Sequence, residues 1–264
     1  MFFFNFPTVY AVINQKGGVG KTTTAAALWA GLTSKGYKVL AVDLDAQANL
    51  SFNAGASTDD LTSLELLTGE VAAAEAIQHT QSGDIIPASR ALAGADSTIT
   101  KTGKEYRLKE ALEPIKGEYD FIILDTPPAL GILTVNALTA CTSVIIPAQA
   151  DIFSLQGIEQ LAGTIDPVKR YCNSDLDIAG ILLTRYSARS ILSKEVAELA
   201  QQLASKLGTR LFNTTIREAI SVKEAQISQQ SIFDYAGKSN VAADYNAFIE
   251  ELLTSTGKAP TNNG

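Results

Sequence analysis

Long hydrophobic runs are missing from this chain. No stretch approaches the roughly 18 uninterrupted apolar residues that a membrane-spanning helix requires, although 46% of its 264 residues are hydrophobic. That share is enough for one sizeable core in one domain. Cysteine is scarce as well. Cys141 and Cys172 cannot build a disulfide framework, and neither stands in a C-x-x-C pair that would suggest zinc. Both are expected to be reduced, buried thiols of a cytosolic protein. A basic excess is also absent: the net charge is −7, so any nucleic-acid binding must come from a local patch. The opening Met1-Phe2-Phe3-Phe4-Asn5-Phe6-Pro7 is apolar but has no basic leader, which argues against a signal peptide. No internal repeat or low-complexity block is present.

What is there is a repeated grammar. Val9 to Ile13 is a β-branched apolar run that ends in a glycine-rich turn, and a helix-forming stretch from Lys21 through Ala25, Ala26, Ala27, Leu28, Trp29 and Ala30 follows. Gly36 closes that helix, and Lys38 to Val42 reads as a second strand ending in Asp43-Leu44-Asp45. Two strands joined by a crossover helix imply a parallel pair. The pattern recurs at Phe121 to Leu124, Ser143 to Ile146 and Ile178 to Leu183, with Gly83 to Pro87 as an extra strand inside a mostly helical, polar stretch from Asp59 to Lys116. The expected fold is α/β: a single-domain, doubly wound, mostly parallel sheet with helices on both faces. Val196, Leu199, Leu203 and Leu207 share helical spacing, as do Tyr245, Phe248, Ile249 and Leu252, and both stripes are expected to face the core. The domain should span 1–253, with residues 254–264 a polar, disordered tail.

Gln15-Lys16-Gly17-Gly18-Val19-Gly20-Lys21-Thr22-Thr23 lies between the first strand and the first helix, where backbone N–H groups and the helix dipole favour an anion. Glycines let the backbone curl around phosphate, Lys21 can reach the β and γ phosphates, and the Thr22 hydroxyl can ligate Mg²⁺. The ordinary G-x-x-x-x-G-K-[ST] pattern fails, because Gln15 stands where its first glycine should be. What stands instead, K-G-G-x-G-K-T, resembles the deviant Walker A box of the ParA, MinD and nitrogenase iron protein superfamily.

That resemblance implies that Lys16 reaches across a dimer interface to the other subunit's nucleotide. Within its own subunit Lys16 is given no task that Lys21 does not already perform. Val42 to Gln47 looks like the family's D-x-D-P-Q segment, with Ala46 in place of the proline. Asp45 would then orient the attacking water, and Asp43 would support the Mg²⁺ and lysine network. Ile122-Ile123-Leu124-Asp125-Thr126-Pro127-Pro128 is an apolar strand capped by an aspartate, as a Walker B element should be. Thr22, Asp43 and Asp125 are thus the expected metal residues, and Lys16, Lys21 and Asp45 the catalytic ones. The nucleotide is expected to be ATP, held by Lys16 to Thr23 and flanked at its adenine by Thr184, Arg185, Ile216 and Arg217. No N-K-x-D guanine reader appears, which leaves GTP the second choice.

Similarity to ParA and Soj proteins runs from Val9 to about Leu253 and includes Val144 to Gln149, like their V-I-x-P-x-Q strand end. It implies a slow ATPase that forms an ATP-dependent homodimer, binds DNA non-specifically and drives DNA partition with a ParB-like centromere-binding partner. An ATPase that positions a protein cargo is the alternative. The DNA contacts would be Arg189 and Lys223. The polar C-terminus lacks a MinD-like basic amphipathic helix, so no membrane partner is expected. The cysteine spacing does not match a nitrogenase-type cluster, no terminal tyrosine cluster suggests a kinase, and no room for a helix-turn-helix module precedes Val9. The expected location is cytoplasmic and nucleoid-associated.

Overall fold

The computed structural model describes residues 7–256. The leader reading at residues 1–6 and the tail from 257 to 264 lie outside the described residues.

Seven strands form one sheet: β1 (Thr8–Val12), β2 (Val39–Asp43), β3 (Gln78–Thr80), β4 (Gly83–Ile86), β5 (Phe121–Asp125), β6 (Ser143–Gln149) and β7 (Asp177–Thr184). Their order is β3-β4-β2-β5-β1-β6-β7, and every pairing is parallel except β3 with β4. The short antiparallel edge strand β3 was not legible, since Gln78-His79-Thr80 carries no apolar alternation. Helices α1 (Lys21–Ser34) and α2 (Asn49–Asn53) are followed by four short ones, α3 (Ser63–Thr68), α4 (Ala73–Ala76), α5 (Ala95–Thr98) and α6 (Arg107–Leu112). Then come α7 (Ile132–Ala140), α8 (Ile152–Tyr171), α9 (Ile191–Lys206), α10 (Ile220–Ile227), α11 (Ile232–Ala236) and α12 (Asn240–Thr256).

Both faces of the sheet are buried, so the strands read as continuous apolar runs. Alternate residues feed two cores. Val9, Ala11, Leu40, Val42, Ile122 and Leu124 pack under α7, α8 and α9, while Tyr10, Val12, Ala41, Phe121 and Ile123 pack under α1 and α12. Gly31 is what lets α1 approach α12: a Cβ there would collide with Ile249 and stand 3.1 Å from the Phe233 ring. Tyr245, Phe248, Ile249 and Leu252 are buried as their spacing predicts, but Leu199 is 42% exposed. The inward face of α9 is filled by Ser193, Val196, Ala200, Leu203 and Ala204, which leaves Leu199 to one side.

The chain leaves β1 to build β2, β3 and β4 on one side, returns through β5, and then builds β6 and β7 on the other side. The crevice above the carboxyl ends of β1 and β5 is therefore the switch point where a doubly wound sheet places its ligand. No helix among the described residues is long and apolar enough to cross a membrane.

Candidate functional site

Register brings the acidic residues together. Val12 and Asp43 both pair with Asp125, so three strands end side by side at the same height. The loop after β1 then turns into α1 through two left-handed glycines, Gly18 (φ +75) and Gly20 (φ +92). A Cβ at Gly17 or Gly18 would meet nothing within 4 Å. Position 18 thus requires glycine for its backbone angle, not for lack of space. Gly20 is the N-cap of α1 and no side chain caps the helix, so its first N–H groups stay available to an anion.

Three side chains hold this loop from outside. Thr184 Oγ1 donates to the Val19 carbonyl at 2.8 Å. Gln149 Nε2 donates to the Gly18 carbonyl at 3.1 Å. Buried Asn14 donates to the Pro147 carbonyl at 2.7 Å and accepts from the Lys16 N–H at 3.0 Å. The loop is therefore preorganised by β6 and β7.

Lys21 is buried, and its ammonium donates to the Lys16 carbonyl at 3.2 Å. Burial pulls its pKa down, and the charges of Asp125 and Asp45 work against that fall. Asp125 is fully buried, and among the described residues the Thr22 hydroxyl is the donor beside its carboxylate, with no well-formed hydrogen bond to either oxygen. Burial above all, then the neighbouring Asp43 charge, pushes its pKa well above the usual carboxylate range. A buried carboxylate served only by Thr22, beside a lysine, is a place built for a cation that arrives with its ligand. Among the described residues no three acidic, histidine or cysteine side chains converge on one point. An ion here would complete its shell with phosphate oxygens and water, as Mg²⁺ does.

Asp43, expected among the metal residues, braces its own turn. Its Oδ1 accepts from the Asp45 N–H at 3.0 Å, and its Oδ2 accepts from Ser51 N–H and Oγ at 2.9 and 2.7 Å. Burial, offset by these donors, moves its pKa up to about 6. Its work is to fix the turn that carries Asp45. Asp45 in turn accepts from the Gln47 N–H at 3.0 Å, and its carbonyl accepts from the Ala48 N–H at 2.8 Å. The turn is thus tied by hydrogen bonds although Ala46 replaces proline.

Lys16, expected to reach across a dimer interface, has a partner within the single chain. Within its own subunit its ammonium donates to both oxygens of Asp151, at 2.8 and 2.7 Å, with the Phe153 ring centre 5.9 Å away. No local pattern announces this pairing, because 135 residues separate the two partners.

Beyond the phosphate loop, the segment after α9 runs along β7, with Ile216 bridged to Thr184. Thr184, Arg185, Ile216 and Arg217 therefore line one cavity of about 120 Å³, together with Val19 and Thr23 of the loop and α1. Arg217 is clamped two-pronged on Asp244, at 2.7 and 2.8 Å, so its guanidinium acts as a wall and not as a free hand. Sequence reasoning missed Val222, Gln226 and Tyr245, which line the same cavity. Their only signal is helical spacing. A second cavity, about 550 Å³, opens over Gly17 to Thr23 and Asp45. Arg189 is exposed in the loop before α9 and lines neither cavity, whereas Lys223 lines both.

A family model described as AAA domain matches residues 7–178. The sporulation initiation inhibitor protein Soj of Bacillus subtilis is 38% identical over 252 residues, covering 94% of this chain and 98% of that protein. The chromosome partitioning protein ParA of Myxococcus xanthus is 37% identical over 258 residues, covering 96% and 90%. Cobyrinic acid a,c-diamide synthase from Mycobacterium smegmatis, solved with bound ADP and magnesium, superposes with a TM-score of 0.82 at 36% identity, covering 98% of this chain and 100% of that one. A phosphate loop with two lysines, a switch-point crevice and likeness along nearly the whole length agree: the chain belongs to the ParA/Soj family of deviant Walker A ATPases.

Proposed function

We propose that this protein hydrolyses ATP slowly, forms an ATP-dependent homodimer, binds DNA without sequence preference and drives partition of a DNA cargo with a ParB-like partner. The observation that carries the nucleotide part is the meeting of Lys21, Thr22, Asp45 and the buried Asp125 carboxylate at one sheet edge. Lys21 and the uncapped start of α1 hold the phosphates. Thr22 and Asp125 hold Mg²⁺, which when bound neutralises charge that develops on the transferred phosphoryl group. Asp45, poised by Asp43, positions the attacking water. The DNA and partner part rests on likeness to the Soj and ParA proteins, with Arg189 as the phosphate contact.

Asp45→Ala is the test. It should bind ATP, lose phosphate release and accumulate as a dimer by light scattering. Hydrolysis at the parental rate would remove Asp45 from its role, and an unchanged monomer mass would remove the dimer. DNA affinity, read by fluorescence anisotropy on unrelated duplexes, should require ATP, fall steeply with salt and drop in Arg189→Ala.

A further inference from the structure

The two cavities are not separate pockets. They share Gly20, Thr23, Arg185, Lys223 and Gln226 as common walls, so those residues surround the neck between them. A nucleotide with its phosphates on Gly17 to Thr22 and its planar base in the 120 Å³ cavity must thread its ribose and first phosphate through this neck. One side of the neck is the phosphate loop. The other is α10, an eight-residue helix of which only Ala225 is buried.

Its placement has a definite cause. Gln226 Nε2 donates to Thr23 Oγ1 at 3.2 Å, pinning α10 to the first turn of α1. Lys223 lies one turn earlier on the same face. It is exposed and makes no ion pair among the described residues. Across the neck, Arg185 holds a left-handed backbone (φ +48) rare for a non-glycine residue, and its guanidinium stands 3.9 Å from Glu218. Arg185 is thus partly neutralised, while the Lys223 charge is not.

We infer that α10 is part of the nucleotide site: Lys223 contacts the sugar-proximal phosphate of the bound nucleotide, and Gln226 is the positioning residue that holds the helix there. This rests on the nucleotide reading above, and it moves Lys223 from the DNA surface to the nucleotide. It also makes α10 an element whose order depends on nucleotide, since few of its side chains are packed.

Calorimetric titration of the Mg²⁺-containing full chain with ADP tests the assignment. Lys223→Ala should raise the ADP Kd roughly tenfold, the loss of one charge-assisted contact, and Lys223→Arg should recover most of it. Gln226→Ala should weaken ADP binding less, and should reduce the ADP-induced protection of residues 220–227 from hydrogen exchange. An ADP Kd within twofold of the parent's in Lys223→Ala overturns the assignment. DNA affinity that falls in the same variant, with ADP binding intact, identifies Lys223 as a DNA contact instead. Failure of the parent chain to bind ADP at all would sink the nucleotide reading itself, a distinct result.

Discussion

Lys16 and Asp151 are joined two-pronged within one subunit, Nζ to Oδ1 at 2.8 Å and to Oδ2 at 2.7 Å, with each side chain about 30% exposed. Asp151 is also the N-cap of α8, accepting from the Ser154 N–H at 2.9 Å. A lysine that must cross to a partner's nucleotide would have to leave this pairing first.

Asp151→Asn therefore tests a restraint on dimer formation. Asparagine keeps the cap but not the charge, so stability should change by under ~1 kcal/mol. In an Asp45→Ala background, the ATP concentration at half-dimerisation should fall about two- to fivefold, as ~0.5–1 kcal/mol of released restraint implies. An unchanged midpoint by light scattering would show that the pair restrains nothing. Burial raises the Asp151 carboxyl, but the Lys16 and Ser154 donors outweigh it and hold it below the usual range. A depressed carboxylate contributes stability that is present above its unfolded pKa, about 3.9, and lost as pH falls through the folded value. Dimer midpoints should accordingly not respond to the Asp151 carboxyl between about pH 6 and 8, where it stays ionised.

Lys21→Ala removes the buried cation that faces Asp125 and Asp45. Nucleotide should then no longer raise the melting temperature, a shift of more than ~2 kcal/mol in the parent at a hundredfold excess over Kd. A retained shift in differential scanning fluorimetry would contradict the phosphate role of Lys21.

Thr184→Val keeps the shape of a buried side chain and deletes its hydroxyl, leaving the Val19 carbonyl without its 2.8 Å donor. The cost should be about 1–3 kcal/mol in urea unfolding, with weaker ADP binding because the loop loses an anchor. Stability within a few tenths of a kcal/mol of the parent would mean that water replaces the hydroxyl.

Gly31→Ala adds a methyl that collides with Ile249 and crowds Phe233. Overpacking of this kind costs about 1–3 kcal/mol, and alanine's better helix propensity returns at most ~1 kcal/mol of it. The melting temperature should fall while ADP affinity at 25 °C holds. A rise would show that α12 yields without strain.

The parallel strands, the crossovers and the phosphate loop are legible in the chain, because each is written locally: β-branched runs, a glycine-rich junction at Gly17 to Gly20, and aspartates at the ends of β2 and β5. The two-residue period of a strand and the backbone freedom of glycine operate within a few residues, so they survive without a third dimension. The rest, apart from the edge strand β3, lies between distant segments. The register of β2 against β5 set Asp43 beside Asp125, and the bonds to Ser51 and the Asp45 N–H made Asp43 a brace for the turn that carries Asp45. Lys16 met Asp151 across 135 residues, and Lys223 came to line the same cavity as the phosphate loop, on a helix held by the Gln226 to Thr23 bond. Contacts of that range depend on how helices dock onto the finished sheet, and no local spacing in the chain encodes them.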